Sequence, residues 1–194
     1  MKFKEYKFFV GSDLYRYEGK LSLKTFLYHY FLTPEFKYTF WMRTCYYLYD
    51  KKIFTVLLFI SKLMLRYYSY KFGISIPFKT MIGSGFYIGH FGGIVVNENS
   101  IIGKNCNISH QVTLGKANRG SKKGYPVIGN NVYIGPGAKI VGAVKIEDYV
   151  AIGANCVVTK DVPEKSVVVG IPGKVISNDG STGYINNIDY EHLK

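Results

Sequence analysis

VIGNNVYIGPGAKIVGAVKIEDYVAIGANCVVTKDVP, residues 127–163, carries aliphatic side chains at one fixed spacing: Ile128, Ile134, Ile140, Ile146, Ile152 and Val158. Four places after each stands a second small or β-branched residue: Val132, Ala138, Val144, Val150, Cys156 and Val162. Glycine follows Ile128, Ile134 and Ile152. A period of six matches neither the 3.6 of a helix nor the 2.0 of a long strand. It suits a chain that lays down a short strand, turns a corner and repeats, stacking aliphatic rungs inside a prism. Upstream the same register runs through Ile82 and Ile88, slips by two near Val95-Val96, and resumes at Val96, Ile102, Ile108 and Leu114.

The pattern [LIV]-G-x-x-[small]-x over about ten repeats predicts a mainly β fold, a left-handed parallel β-helix with an N-terminal α-helical region. The expected division is a helical, basic and aromatic-rich region at 1–73, the β-helix at 74–176, and a polar C-terminal tail at 177–194. Lys116–Val127 (KANRGSKKGYPV) breaks the register, so period-six packing must expel residues 116–127 as a protruding loop.

The 194 residues carry 25 Lys and Arg against 13 acidic side chains, a formal charge of +12. Residues 1–80 hold 14 basic and 5 acidic groups, and 23 of the 32 aromatic residues lie within 1–72. Ser22 is placed to cap a helix containing Leu23, Phe26, Leu27, Tyr30 and Phe31 at helical spacing. Pro34 can open a second helix, since its missing N–H costs nothing at the first position. Asp50 reads as a further cap, before a stripe of Ile53, Val56, Leu57, Ile60, Leu63, Met64 and Tyr67 that ends near Gly73.

These helices read as a cap on the rest of the protein or on a partner subunit. Lys51, Lys52, Lys62, Arg66 and Lys71 beside Tyr67, Tyr68, Tyr70 and Phe72 also suit peripheral contact with a membrane surface or a lipid-linked substrate. No recognition motif accompanies the charge, so nucleic acid is not an expected partner. Val56–Ile60 is the longest apolar run, short of the ~20 residues of a membrane span. Met1–Tyr6 leads into no apolar core of a signal peptide. Cys45, Cys106 and Cys156 show no paired spacing and read as free buried thiols. The expected location is the cytoplasm, at the inner face of the membrane if the helices touch it.

Residues 73–176 resemble the hexapeptide acyltransferases, and within them the serine O-acetyltransferase branch. The matching stretches are GHFGGIVVNENSIIG (89–103), SHQVTLGKANRGSKKGYPVIG (109–129), NNVYIGPGAKIVGAVKI (130–146), IGANCVVTKDVP (152–163) and VVVGIPGKVI (167–176). The shorter N-terminal region is more like that of capsule and exopolysaccharide acetyltransferases. The resemblance implies a homotrimer using acetyl-CoA, with a groove between neighbouring prisms and the 116–127 loop projecting over a neighbour's site. It places His90 where the family has its catalytic base. It also assigns Gly115, Gly135, Gly137, Ala138, Gly153 and Ala154 to the pantetheine groove, with Lys139, Lys160 and Lys174 as candidates for the phosphates.

The repeat arithmetic adds His110. Each histidine lies two residues after a rung, Ile88 or Ile108, which puts both imidazoles on one patch, one coil of ~4.8 Å apart. His29 and His192 lie outside the repeats. Gamma-class carbonic anhydrases on similar prisms need three histidines, so no metal is expected here.

Departures from the serine branch decide the expected acceptor. The family's two aspartates near the base fall on Ser75 and Gly89, and its Arg-His pair for the serine carboxylate falls on Gly124-Tyr125. Losing these charges favours a saccharide hydroxyl in cell-surface polysaccharide synthesis, free or lipid-linked, contacted by Tyr87, Phe91, Asn107, Gln111 and Tyr125. Glu98 is the candidate to orient His90. The alternatives are serine O-acetyltransferase and a non-catalytic trimeric module that binds a glycan or membrane surface.

Overall fold

The computed structural model describes residues 1–51 and 54–194; Lys52 and Ile53, counted above in the basic face and the apolar stripe, lie outside them. Four helices lead the chain: α1 (Phe3–Glu18), α2 (Leu23–Leu32), α3 (Pro34–Tyr49) and α4 (Thr55–Phe72). Ser22 does cap α2, its Oγ accepting the Thr25 N–H at 3.0 Å, and Pro34 occupies the first turn of α3. Asp50 ends α3 instead of opening α4, and Gly73 closes α4 in the left-handed conformation at φ 62°. Helix α1 lies within the expected helical region at 1–73, ahead of the three helices whose caps and stripes could be named.

Short strands then wind into three parallel sheets. Sheet A joins β1 (Ile74–Ser75), β4 (Ile94–Val96), β7 (Thr113–Gly115), β10 (Lys139–Val141) and β13 (Val157–Val158). Sheet B joins β2 (Met81–Ile82), β5 (Ile101–Ile102), β8 (Val127–Ile128) and β11 (Lys145–Ile146). Sheet C joins β3 (Tyr87–Ile88), β6 (Asn107–Ile108), β9 (Tyr133–Ile134), β12 (Ala151–Ile152) and β14 (Val167–Val169), with β15 (Lys174–Ser177) added antiparallel.

Register follows the six-residue period: Ile102 pairs with Ile82 and Ile128, Ile108 with Ile88 and Ile134, and Ile140 with Leu114 and Val158. Both aliphatic sets of the repeat point inward, and every rung from Ile82 to Val158 is buried. Each such side chain is worth about 1.5–3 kcal/mol of burial. The register slip sits elsewhere than Val95-Val96. Val95 pairs with Thr113 and Tyr87 with Asn107, so the two extra residues lie in the corner Gly89–Gly93 between β3 and β4.

Three charged side chains join the helices to the first coil. Arg43 pairs with Asp13 at 2.9 Å and donates to the carbonyls of Ile82 (2.7 Å) and Gly83 (2.6 Å), while Asp13 accepts the Phe86 N–H at 2.8 Å. Arg16 donates to Gly85 O, Asn107 Oδ1 and Asn186 O, each at 2.7 Å. The segment read as a polar tail therefore returns along sheet C. Tyr184 stacks on Tyr133 at 4.4 Å, and Tyr190 is buried between Phe8 and Tyr15.

Much of the stripe on α4 is exposed, at Val56, Leu57, Ile60, Leu63 and Tyr67, as are Leu23, Leu27 and Phe31 of α2. Among the described residues no helix is long and apolar enough to cross a membrane. The three cysteines are free and buried.

Candidate active site

The corner between sheets C and A repeats along one prism edge, and backbone hydrogen bonds stack its copies. Gln111 N–H donates to Gly92 O (2.7 Å), Gly137 N–H to His110 O (3.0 Å), and Asn155 N–H to Pro136 O (2.8 Å). The corner Gly89–Gly93 is the largest of these. Gly92 and Gly93 take φ of 104° and 67°, and a Cβ on Gly93 would stand 3.1 Å from Gln111 Cγ. Conformation favours glycine at both positions, and at Gly93 a Cβ would also crowd Gln111. The bulge leaves His90 exposed at the edge, one coil from His110, with ring centroids 5.9 Å apart and planes at 68°. His110 is half-buried, and its Nδ1 has no hydrogen-bond partner.

Several sequence-predicted positions meet on this edge. Phe91 and Gln111 share its corners with the histidines; Gly135, Gly137 and Ala138 occupy the next coil; Gly153 and Ala154 occupy the one after. At ~4.8 Å per coil, the edge from His90 to Ala154 runs roughly 14 Å. Lys139 begins β10 at this edge, its ammonium bonded to Gln111 O. Lys174 opens β15, paired with Val169.

Other positions stand apart. Tyr87 and Asn107 face outward on sheet C under the helices and the returning C-terminal segment. Tyr87 lies against Tyr17 at 4.8 Å, and the Asn107 amide is held by Arg16 and by Tyr184 O at 2.9 Å. Asn107 is taken up by that covering layer, whereas the Tyr87 ring lies beside Gly89, where a Cβ would stand 3.7 Å from its Cε1. Glu98 follows β4 at the edge between sheets A and B, exposed, where its charge acts on Lys79. Gly115 ends β7 and Lys160 follows β13, both toward that A–B edge.

The loop leaves the same edge. Ala117 and Gly124 bridge its base, Lys116 lies 5.5 Å from the Tyr125 ring, and Lys122 pairs with Asp161 at 2.6 Å. Among the described residues no group of three or more His, Cys, Asp or Glu could hold a metal ion.

Sequence reading missed Glu35. This buried carboxylate in the first turn of α3 accepts the Phe91 N–H at 3.1 Å, beside His90. Burial, and after it the Glu35 charge, pushes the phenols of Tyr17 and Tyr87 upward.

A histidine-bearing, glycine-bulged edge on a six-residue prism defines a class. The family model for the bacterial transferase hexapeptide, six repeats, matches residues 125–160, and the three parallel sheets fit the left-handed β-helix of such transferases. Among its relatives are serine acetyltransferases. That of Synechococcus elongatus is 44% identical over 108 residues, 56% of this chain and 44% of the relative. That of Staphylococcus aureus is 40% identical over 146 residues, 75% of this chain and 66% of the relative. The serine acetyltransferase of Brucella abortus in complex with coenzyme A superposes with a TM-score of 0.74 at 28% identity, covering 92% of this chain and 69% of that one. The chain thus spans about half to two thirds of the curated relatives it matches.

These relatives overturn the expected saccharide acceptor and the capsule and exopolysaccharide branch. The expectation rested on charges missing at four aligned positions. A site's charge is a property of the fold, however, and Glu35 brings a carboxylate to the corner from a distant helix.

Proposed function

We propose that the chain is an acetyl-CoA-dependent serine O-acetyltransferase. The observation that carries this reading is the His90–His110 pair at the head of a glycine-rich edge, in a chain similar to serine acetyltransferases. His90 takes the proton from the serine hydroxyl as its oxygen attacks the thioester carbonyl. His110 is the second polar contact at the reacting centre, one coil from His90. Collapse of the tetrahedral intermediate breaks the C–S bond, and His90 returns the proton to the departing thiolate. The products are O-acetylserine and coenzyme A.

The backbone at Gly135–Ala138 and Gly153–Ala154 would line the pantetheine arm, with Lys139 and Lys174 toward the phosphates. A homotrimer completes the groove, with the 116–127 loop of one copy reaching the edge of the next, in the cytoplasm where acetyl-CoA is made. The exposed apolar faces of α2 and α4, flanked by Arg66 and Lys71 on α4, support peripheral contact with an anionic membrane surface. Incubation with acetyl-CoA and L-serine, followed by mass spectrometry of the amino acid, tests the reading. Acetylated serine supports it; unchanged serine beside coenzyme A binding refutes it.

A further inference from the structure

We infer that Glu35 is the positioning residue for His90, through the backbone and not through the imidazole. The inference rests on His90 being the base. The corner Gly89–Gly93 is the longest and most permissive in the C–A stack, with two glycines at positive φ. Backbone bonds fasten it at both ends: Gly89 N–H to Ile108 O at 2.9 Å, Gly92 O to Gln111 N–H at 2.7 Å, and Ile94 N–H to Gly73 O at 3.1 Å. Its middle is held by the Glu35 carboxylate on the Phe91 N–H.

Glu35 is itself fixed. It is 7% exposed in the first turn of α3, where the helix dipole favours a carboxylate. Phe36, the next residue, is fully buried and meets Tyr17 edge-on at 6.0 Å. Tyr17 in turn leans on Tyr87, three residues before His90. A rigid helix thus grips the peptide adjoining the base. Fixing the Phe91 amide fixes the direction in which His90 presents its ring toward serine and thioester, and misplacement of such a group by about 1 Å costs on the order of 10²-fold in rate.

The test is a steady-state comparison of Glu35→Ala, Glu35→Gln and His90→Ala. Glu35→Ala should lower kcat by about 10- to 100-fold with KM for acetyl-CoA unchanged, because the groove lies on later coils. Glu35→Gln keeps an acceptor oxygen for the Phe91 N–H and should recover most of that turnover. Hydrogen exchange at the Phe91 amide should quicken in the alanine variant and stay slow in the glutamine one, which reads the clamp even where activity is low. Unchanged kcat in Glu35→Ala, a glutamine variant as slow as the alanine one, or unchanged Phe91 exchange would overturn the assignment. Full activity in His90→Ala would instead overturn the base itself.

Discussion

Arg43→Met should destabilise the protein by about 3–5 kcal/mol, the range for stranding one member of a buried ion pair. Arg43 donates twice to Asp13, at 2.9 and 3.2 Å, and once each to Ile82 O and Gly83 O. Asp13 is 1% exposed and would keep the Phe86 amide as its nearest donor. Methionine replaces the stem but supplies no donor, so a charge and two carbonyls lose partners together.

The penalty should depend on pH with a definite sign. Burial already pushes the Asp13 carboxyl above its ordinary value, against the pull of Arg43 and the Phe86 N–H. Removing Arg43 raises it further in the folded state and leaves the unfolded state unchanged. The cost should therefore be smallest in acid, where Asp13 is protonated in both states, and grow as pH rises through the folded-state value. Trp41, the one tryptophan, lies two residues from Arg43 and reports urea unfolding by fluorescence at fixed protein concentration. With Asp13→Leu added, the two changes should depart from additivity by about 1–3 kcal/mol. A loss under about 1 kcal/mol in Arg43→Met, or strict additivity, would refute the clamp between helices and prism.

Ile140→Ala removes a fully buried rung from the middle of the prism and should cost about 2–5 kcal/mol in the same unfolding assay. His90→Ala should lower turnover about 10²–10⁴-fold with coenzyme A affinity unchanged, and His110→Ala should cost less, chiefly in KM for the acceptor. Burial pushes the thiols of Cys45 and Cys106 up to about 12, so the native protein should resist an aromatic disulfide reagent at neutral pH and react fully once unfolded. The same inertness leaves a low background for detecting released coenzyme A.

The prism was legible because its signal is local and repeated. Each rung from Ile128 to Val158 states the same geometry, and the pairing register obeys it. The placing of His90 beside His110 followed from that period. The helical layer was less legible. Its polar anchors, Asp13, Arg16, Glu35 and Arg43, bind backbone atoms 39 to 170 residues away, and no local spacing encodes such partners. Thr33-Pro34-Glu35 announces a helix start and nothing more. Tyr190 sits in a polar stretch, yet its ring fills the gap between α1 and the first corner of sheet C. Tyr87 and Asn107 kept their predicted register but not their predicted surroundings, because the covering layer is set by those long-range contacts.

The central claim is acetyl transfer from coenzyme A to serine by way of His90, and the initial rate of thiol release tests it most directly. Wild-type protein with acetyl-CoA should release coenzyme A on addition of L-serine, saturably, and His90→Ala should abolish all but about 1% of that rate or less. Thiol release that ignores L-serine, or that His90→Ala leaves intact, would contradict it.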